Sequence, residues 1–463
     1  GAMQKLNGYN GGAIEAAGKL NVERTRATTI VTNSDGRGIK VKERDENAEL
    51  NIQGDASSTL NVTSSRDAIT SVGSINIDGA GTVNATSTEH DAIMPGAMYH
   101  QLGKRYATAI RMAQADGNIT IDNSGTVTAK ATEDQGIDAN ENLIIKGGGK
   151  VEASSIKDNA IWADGNIEIS GGSQVKASSE EDATIDGKNS LTVTNASLNA
   201  SGVGYGIYVY KGITFDGATV TVRASAGNDE ASALFTDEDD IVIKNGSIVD
   251  AFAEGQFSTA IFTRNYYPNE AGGHIYISDS VVKAIARYVE SGSDGPDHYS
   301  NDQSGAVIPE HRGMNIGIFA RTKEGITPAT ISIVRSKVTA EGDTAAIFAL
   351  AVSADGETIG TIEIEGAPIQ TPTGGKIIGY RNKEELDDGI FYVVGQTIGT
   401  GDAVIDSPYN EAVAKSTVIA PPEETKPGEK PGETKPGSKS KSAKTTKTVA
   451  VAATGAKIAG KLA

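Results

Sequence analysis

A short unit returns again and again along this chain, and few folds can accommodate it. It is clearest at 160–177, AIWADGNIEISGGSQVKA, which holds three short segments of alternating apolar and polar residues. They centre on Ile161, on Ile167/Ile169 and on Val175/Ala177, and Asp-Gly and Gly-Gly separate them. Alternation over three to five residues is the pattern of a half-buried strand, and Gly-containing dipeptides punctuate turns. The first apolar residue of the unit falls at Ile14, Ile39, Ile69, Ile110, Ile137, Ile161, Ile185, Ile207, Leu234, Ile261, Ile318 and Ile347. The base spacing is 22–27 residues, with longer steps of 29, 30, 41 and 57. Such a series is a solenoid with loop insertions, because one coil cannot bury its inner face and stacking alone builds the core.

Three strands per coil predict an all-β fold, a right-handed three-sheet parallel β-helix of about 12–14 coils. A leucine-rich repeat has a similar period but needs a Leu-rich strand and a helical return, and neither is present. The expected divisions are a cloning scar at 1–3, the β-helix at 4–374, a β-rich cap or irregular coils at 375–420, a linker at 421–446 and a tail at 447–463. The linker is rich in Pro, Lys, Glu and Gly, cannot pack a core, and reads as a disordered, extended spacer.

Charge narrows the partners. The chain carries −18, and 421–463 holds nine Lys against four Glu, so residues 1–420 carry −23. A body this acidic disfavours nucleic acid and suits neutral glycans or divalent cations; equally, the charge keeps a long exported chain soluble. Cys is absent, and no run of eighteen apolar residues predicts a membrane span.

A turn column, Asn123, Asn195, Asp216, Asn245 and Asp279, lies between the second and third strands and is expected to be structural, since Asn and Asp tolerate left-handed backbone. Two insertions, 87–107 and 285–315, both fall between a third strand and the next first strand, and so leave from one corner. A shorter one, 264–273, carries Tyr266 and Tyr267. Loops on a rigid scaffold are the usual seats of function.

The strongest candidate for function is a row. The residue after each first-strand Ile points outward, because side chains alternate. It begins polar with Glu15, Lys40, Thr70, Arg111 and Asp138, as expected of a solvent-facing row. It then becomes Trp162, Asp186, Tyr208, Phe235, Phe262, Phe319 and Phe348. Half of the eight Phe and the single Trp lie on this line. Bare, the row is an interaction surface suited to the apolar faces of sugars; covered by the insertions, it is core. The candidate ligand-binding residues are therefore Trp162, Tyr208, Phe235, Phe262, Tyr266, Tyr267, Phe319 and Phe348. The acidic run at 237–240 offers Asp237, Asp239 and Asp240 as oxygen ligands for Ca²⁺, against the alternative of a solvated acidic turn. The five His show no metal-binding spacing.

Segments such as Gln135-Gly136-Ile137-Asp138-Ala139-Asn140 and Asn159-Ala160-Ile161-Trp162-Ala163-Asp164-Gly165 resemble a clostridial carbohydrate-binding β-helix family with a pectate-lyase-like fold. The resemblance spans about 108–260 and implies plant-polysaccharide binding, with calcium held by paired Asp before the Ile. At those positions Asp67 and Asp182 match singly, while Gln135, Asn159 and Tyr205 depart. The Pro-rich spacer resembles the wall-crossing stalks of Gram-positive surface proteins, although no Leu-Pro-any-Thr-Gly motif follows it. The expectation is a non-catalytic, extracellular adhesin or glycan-binding protein at the cell surface or wall. Its partner would be a polysaccharide, a host glycan or a host surface protein. The alternatives are a polysaccharide lyase or other glycan-cleaving enzyme, with Arg264 as candidate base, and a structural rod or assembly module.

Overall fold

A computed structural model describes residues 12–34, 36–41, 48–88, 110–112, 117–226, 230–265, 272–289, 315–322, 329–342 and 345–352, and short strands beyond them up to 417. The chain divides between Pro421 and Pro422, and every described residue belongs to the first unit. The linker and tail expected at 421–463 lie outside the described residues, as do Tyr266, Tyr267 and most of both long insertions.

The described residues form three sheets and no helix. Sheet 1 has 14 strands, sheet 2 has 13 and sheet 3 has 12, and each sheet takes every third strand of the chain in order. This is a parallel β-helix, with twelve complete coils among the described residues. Coil 6, for example, is Ile161–Ala163, Ile167–Ile169 and Gln174–Ser179. All pairing is parallel except where Lys376–Asn382 meets Gln396–Thr397.

The Ile series sets the register. Ile137 pairs with Ile161, Ile161 with Ile185, Ile185 with Ile207, Ile207 with Leu234 and Leu234 with Ile261. A parallel strand that slipped by one residue would turn its whole apolar set outward, so burial enforces this register. These residues and their equivalents from Ile39 to Ile347 are fully buried wherever their side chains are described. Each such side chain contributes about 1.5–3 kcal/mol relative to exposure. Sheets 2 and 3 add parallel ladders, such as Leu143–Ile167–Leu191 and Val151–Val175–Leu198.

The corner leading into sheet 1 accepts only small residues. The position before the first-strand Ile is Gly38, Ala68, Gly136, Ala160, Thr184, Gly206, Ala233, Ala260, Gly317 and Ala346 in successive described coils. A methyl added at Gly38 would sit 2.3 Å from Val62 Cγ1 and 2.4 Å from the Ala68 carbonyl oxygen. Gly38→Val is therefore expected to cost at least 1–3 kcal/mol, roughly the usual range for overpacking, read as a lower denaturation midpoint. An unchanged midpoint would show that this corner has room.

The turn column is structural, as its composition predicts. Asn195, Asn245 and Asp279 have φ of 46°, 57° and 48°, and the Asn245 amide donates to Asp216 Oδ1 at 2.8 Å. Asn123 accepts from the Gly125 amide at 2.5 Å and donates to the Gly81 carbonyl at 3.1 Å. The two long insertions do share a corner. One follows Thr82–Ser87 and precedes Ile110–Met112, and the other follows Val281–Tyr288 and precedes Asn315–Thr322.

Candidate functional site

The outward row of sheet 1 runs in strict register. Asp138 pairs with Trp162, Trp162 with Asp186, Asp186 with Tyr208, and Tyr208 with Phe235. Phe235, Phe262, Phe319 and Phe348 continue it on consecutive strands. Strand spacing of about 4.8 Å dictates how such rings meet. Their centroids lie 4.9, 4.7 and 5.1 Å apart, with interplanar angles of 9°, 5° and 9°. Tyr208 joins the stack at 5.1 Å from Phe235, and Tyr205 leans on both Tyr208 and Phe235 at 5.4 Å.

Pointing away from the sheet is not the same as facing water. Phe235, Phe262, Phe319 and Phe348 retain only 2–8% of their surface. At the polar start of the row Glu15 is exposed and Lys40 half-buried, as expected, but Thr70 and Asp138 are buried, at 2% and 3%, which corrects the expectation there. Alternation fixes direction relative to the sheet, but long neighbours fold back over it. Arg264 does so, with its guanidinium 4.8 Å from the Phe235 ring centre. The four Phe rings are thus a second, outer core. Of the row's candidate ligand residues with described side chains, Trp162 and Tyr208 are only half-buried, and Asp186 between them is half-buried too.

The acidic run is split: Asp237 and Glu238 are buried, Asp240 is half-buried and Asp239 is exposed. Asp237 accepts from the Tyr208 hydroxyl at 2.5 Å through Oδ2 and from Arg264 Nε through Oδ1. Glu238 faces Lys211 at 3.5 Å. Asp239 caps the Asp240 amide at 3.0 Å, and Asp240 accepts from the His274 amide at 3.0 Å. The Asp237, Asp239 and Asp240 carboxylates therefore serve separate partners. Among the described residues no group of three or more His or acidic side chains is placed to hold a metal ion. The acids at the family's calcium positions are also engaged. Asp67 pairs with Arg37 at 2.8 Å, and Asp182 caps the Ala183 amide at 2.6 Å. Arg264, the candidate base, is committed to Asp237.

Electrostatics single out Asp186. Burial, reinforced by the charges of Asp182 and Asp158, pushes its carboxyl up to about 6. Burial also raises the Tyr205 and Tyr208 hydroxyls, and donation to Asp237 raises Tyr208 further. Burial raises Asp240 as well. Besides Arg264 over Phe235, a second cation reaches the row: the Lys188 ammonium lies 5.1 Å from the Trp162 ring centre and pairs with Asp164.

A second surface was not foreseen. On the outside of sheet 2, Asn51 donates to Asn21 at 2.9 Å and Asn76 donates to Asn51 at 2.8 Å. This amide ladder floors an open trough of about 450 Å³ edged by Glu23, Gln53 and Asp78. Related steps join Asn84 to Asn61 and Asn142 to Asn118. Their spacings of 23–30 residues lie within the range of the coil period, but none equals the Ile step of its own pair of coils, so the Ile series does not locate them. Set beside known proteins, the chain matches no family model, no curated protein and no solved structure.

Proposed function

We propose that this chain is a non-catalytic, extracellular glycan-binding β-helix, displayed as a cell-surface adhesin, whose ligand rests on Trp162 and Tyr208. The observation that carries the reading is the half-exposed aromatic pair beside a buried ring stack, held in register on the two strands of one sheet that flank the Asp186 strand. Flat rings take up the apolar face of a sugar at little entropic cost, since Tyr and Trp have only two side-chain torsions to fix. Sheet 1 supplies the preorganisation, because each outward side chain is set by pairing on both sides. The resemblance of about 108–260 to the clostridial carbohydrate-binding β-helix family points the same way. The Pro-rich segment at 421–446 suits a stalk for such a module.

The test is binding of a panel of oligosaccharides by the protein and by W162A and Y208A, with product assays for reducing ends and unsaturated sugars. Binding without cleavage is expected. Each variant is expected to lose about tenfold or more, the loss of one aromatic contact of roughly 1–3 kcal/mol. Retained binding in both variants would overturn the reading, and release of cleaved product would favour the glycan-cleaving alternative.

A further inference from the structure

On the glycan-binding reading above, we infer that the Trp162–Asp186–Tyr208 row selects a sugar bearing a free primary amine, its ammonium seated on the Trp162 ring and beside the Asp186 carboxylate.

Three observations converge. First, the row alternates ring, acid, ring on three consecutive strands, so a ligand spanning neighbouring strands meets a π face and a carboxylate together. Second, the protein already places an ammonium there. Lys188 Nζ stands 5.1 Å from the Trp162 ring centre, although its side chain is 64% exposed and free to leave for water. A cation over an indole is attracted by the ring's negative face, more as water is excluded, and Lys188 shows that the seat can be reached. Third, the charges around Asp186 are mostly negative. Asp182 and Asp158 approach it from the turns leading into the first strands of coils 7 and 6. Asp138 lies two strands away in the same row. Against these, the Gly187 amide and the Lys188 charge favour the ionised Asp186, and Lys188 is shared with Trp162 and Asp164. On the other side Tyr208 is held by Asp237, whose charge is met by Arg264. The surroundings therefore favour an incoming cation and repel uronic acids.

The pH dependence has a defined sign. A cation binds the ionised carboxyl, so affinity falls as pH drops through about 6, where Asp186 takes up a proton. An amine beside electron-withdrawing carbons titrates near the α-amino value, roughly 7.7–8, so affinity falls again above that. The expected profile is a bell with its maximum at about pH 7.

The experiment is calorimetric titration with three hexasaccharides of one linkage: glucosamine, N-acetylglucosamine and glucose. At about pH 7 the glucosamine oligomer is expected to bind at least tenfold more tightly than the other two. D186N, which keeps the shape and removes the charge, is expected to abolish that preference, so that the glucosamine oligomer binds no more tightly than the glucose oligomer. K188A, which vacates the ring, is expected to strengthen glucosamine binding several-fold. If all three bind alike and still depend on Trp162 and Tyr208, the ammonium inference is overturned and the glycan reading stands. If none binds, both fall. Preference for glucosamine that survives in D186N also overturns it, since the cation would then sit elsewhere.

Discussion

Phe262→Ala is expected to destabilise the protein by about 3–5 kcal/mol, the usual cost of emptying a buried Phe site. Phe262 sits mid-stack, 4.9 Å from Phe235 and 4.7 Å from Phe319, so its removal also breaks two ring pairs. In a solenoid each coil touches chiefly its neighbours, and stability is close to a sum of local terms. The loss should therefore be local. Hydrogen exchange is expected to accelerate in Glu230–Thr236 and Asn315–Thr322, while Glu49–Gly54 keeps its protection. Uniform acceleration along the chain, or a cost below about 1 kcal/mol, would contradict the assignment of these rings as an outer core.

The second large effect concerns a charge pair. Arg37 and Asp67 meet at 2.8 Å with side chains only 7% and 4% exposed. Removing one partner leaves the other charge buried, so Asp67→Ala is expected to cost about 3–5 kcal/mol. Replacing both at once is a different matter, because neither charge then needs water. The pair R37M/D67L is expected to return to wild-type stability or exceed it, by up to about 4 kcal/mol. Equilibrium denaturation of the two single variants and the double variant measures this. If the double variant is as unstable as D67A, the pair does more than neutralise itself.

Most of the fold was legible because one residue type, Ile, marks the same point of nearly every coil. Once the first-strand Ile residues are superposed, the register of sheet 1 follows, including the outward row. What counting could not supply was the second layer. Asp138 and Phe262 point outward by alternation, and both are buried, because burial depends on what lies above the sheet. The run at 237–240 is four adjacent acids along the chain, but its partners come from other coils. Asp237 is defined by neighbours one coil away, Tyr208 and Arg264. The step from Leu234 to Ile261 is the same 27 residues as that from Asp237 to Arg264, so the ion pair was already implied by the repeat. The amide ladder of Asn21, Asn51 and Asn76 escapes that count, because its steps of 30 and 25 residues reverse the Ile steps of 25 and 30 in the same coils.

Strict register has an evolutionary corollary. Because Ile137, Ile161 and Ile185 occupy equivalent points, excising one 24-residue coil would bring the flanking strands together with every inward side chain still inward. Duplicating a coil would do the reverse. Gain or loss of whole coils is thus nearly silent for folding, whereas a change of one or two residues within a strand is not. Length becomes a neutral variable on which selection can act. The amide ladder and the aromatic stack can drift apart or together along the axis by whole coils, and neither surface need change a residue.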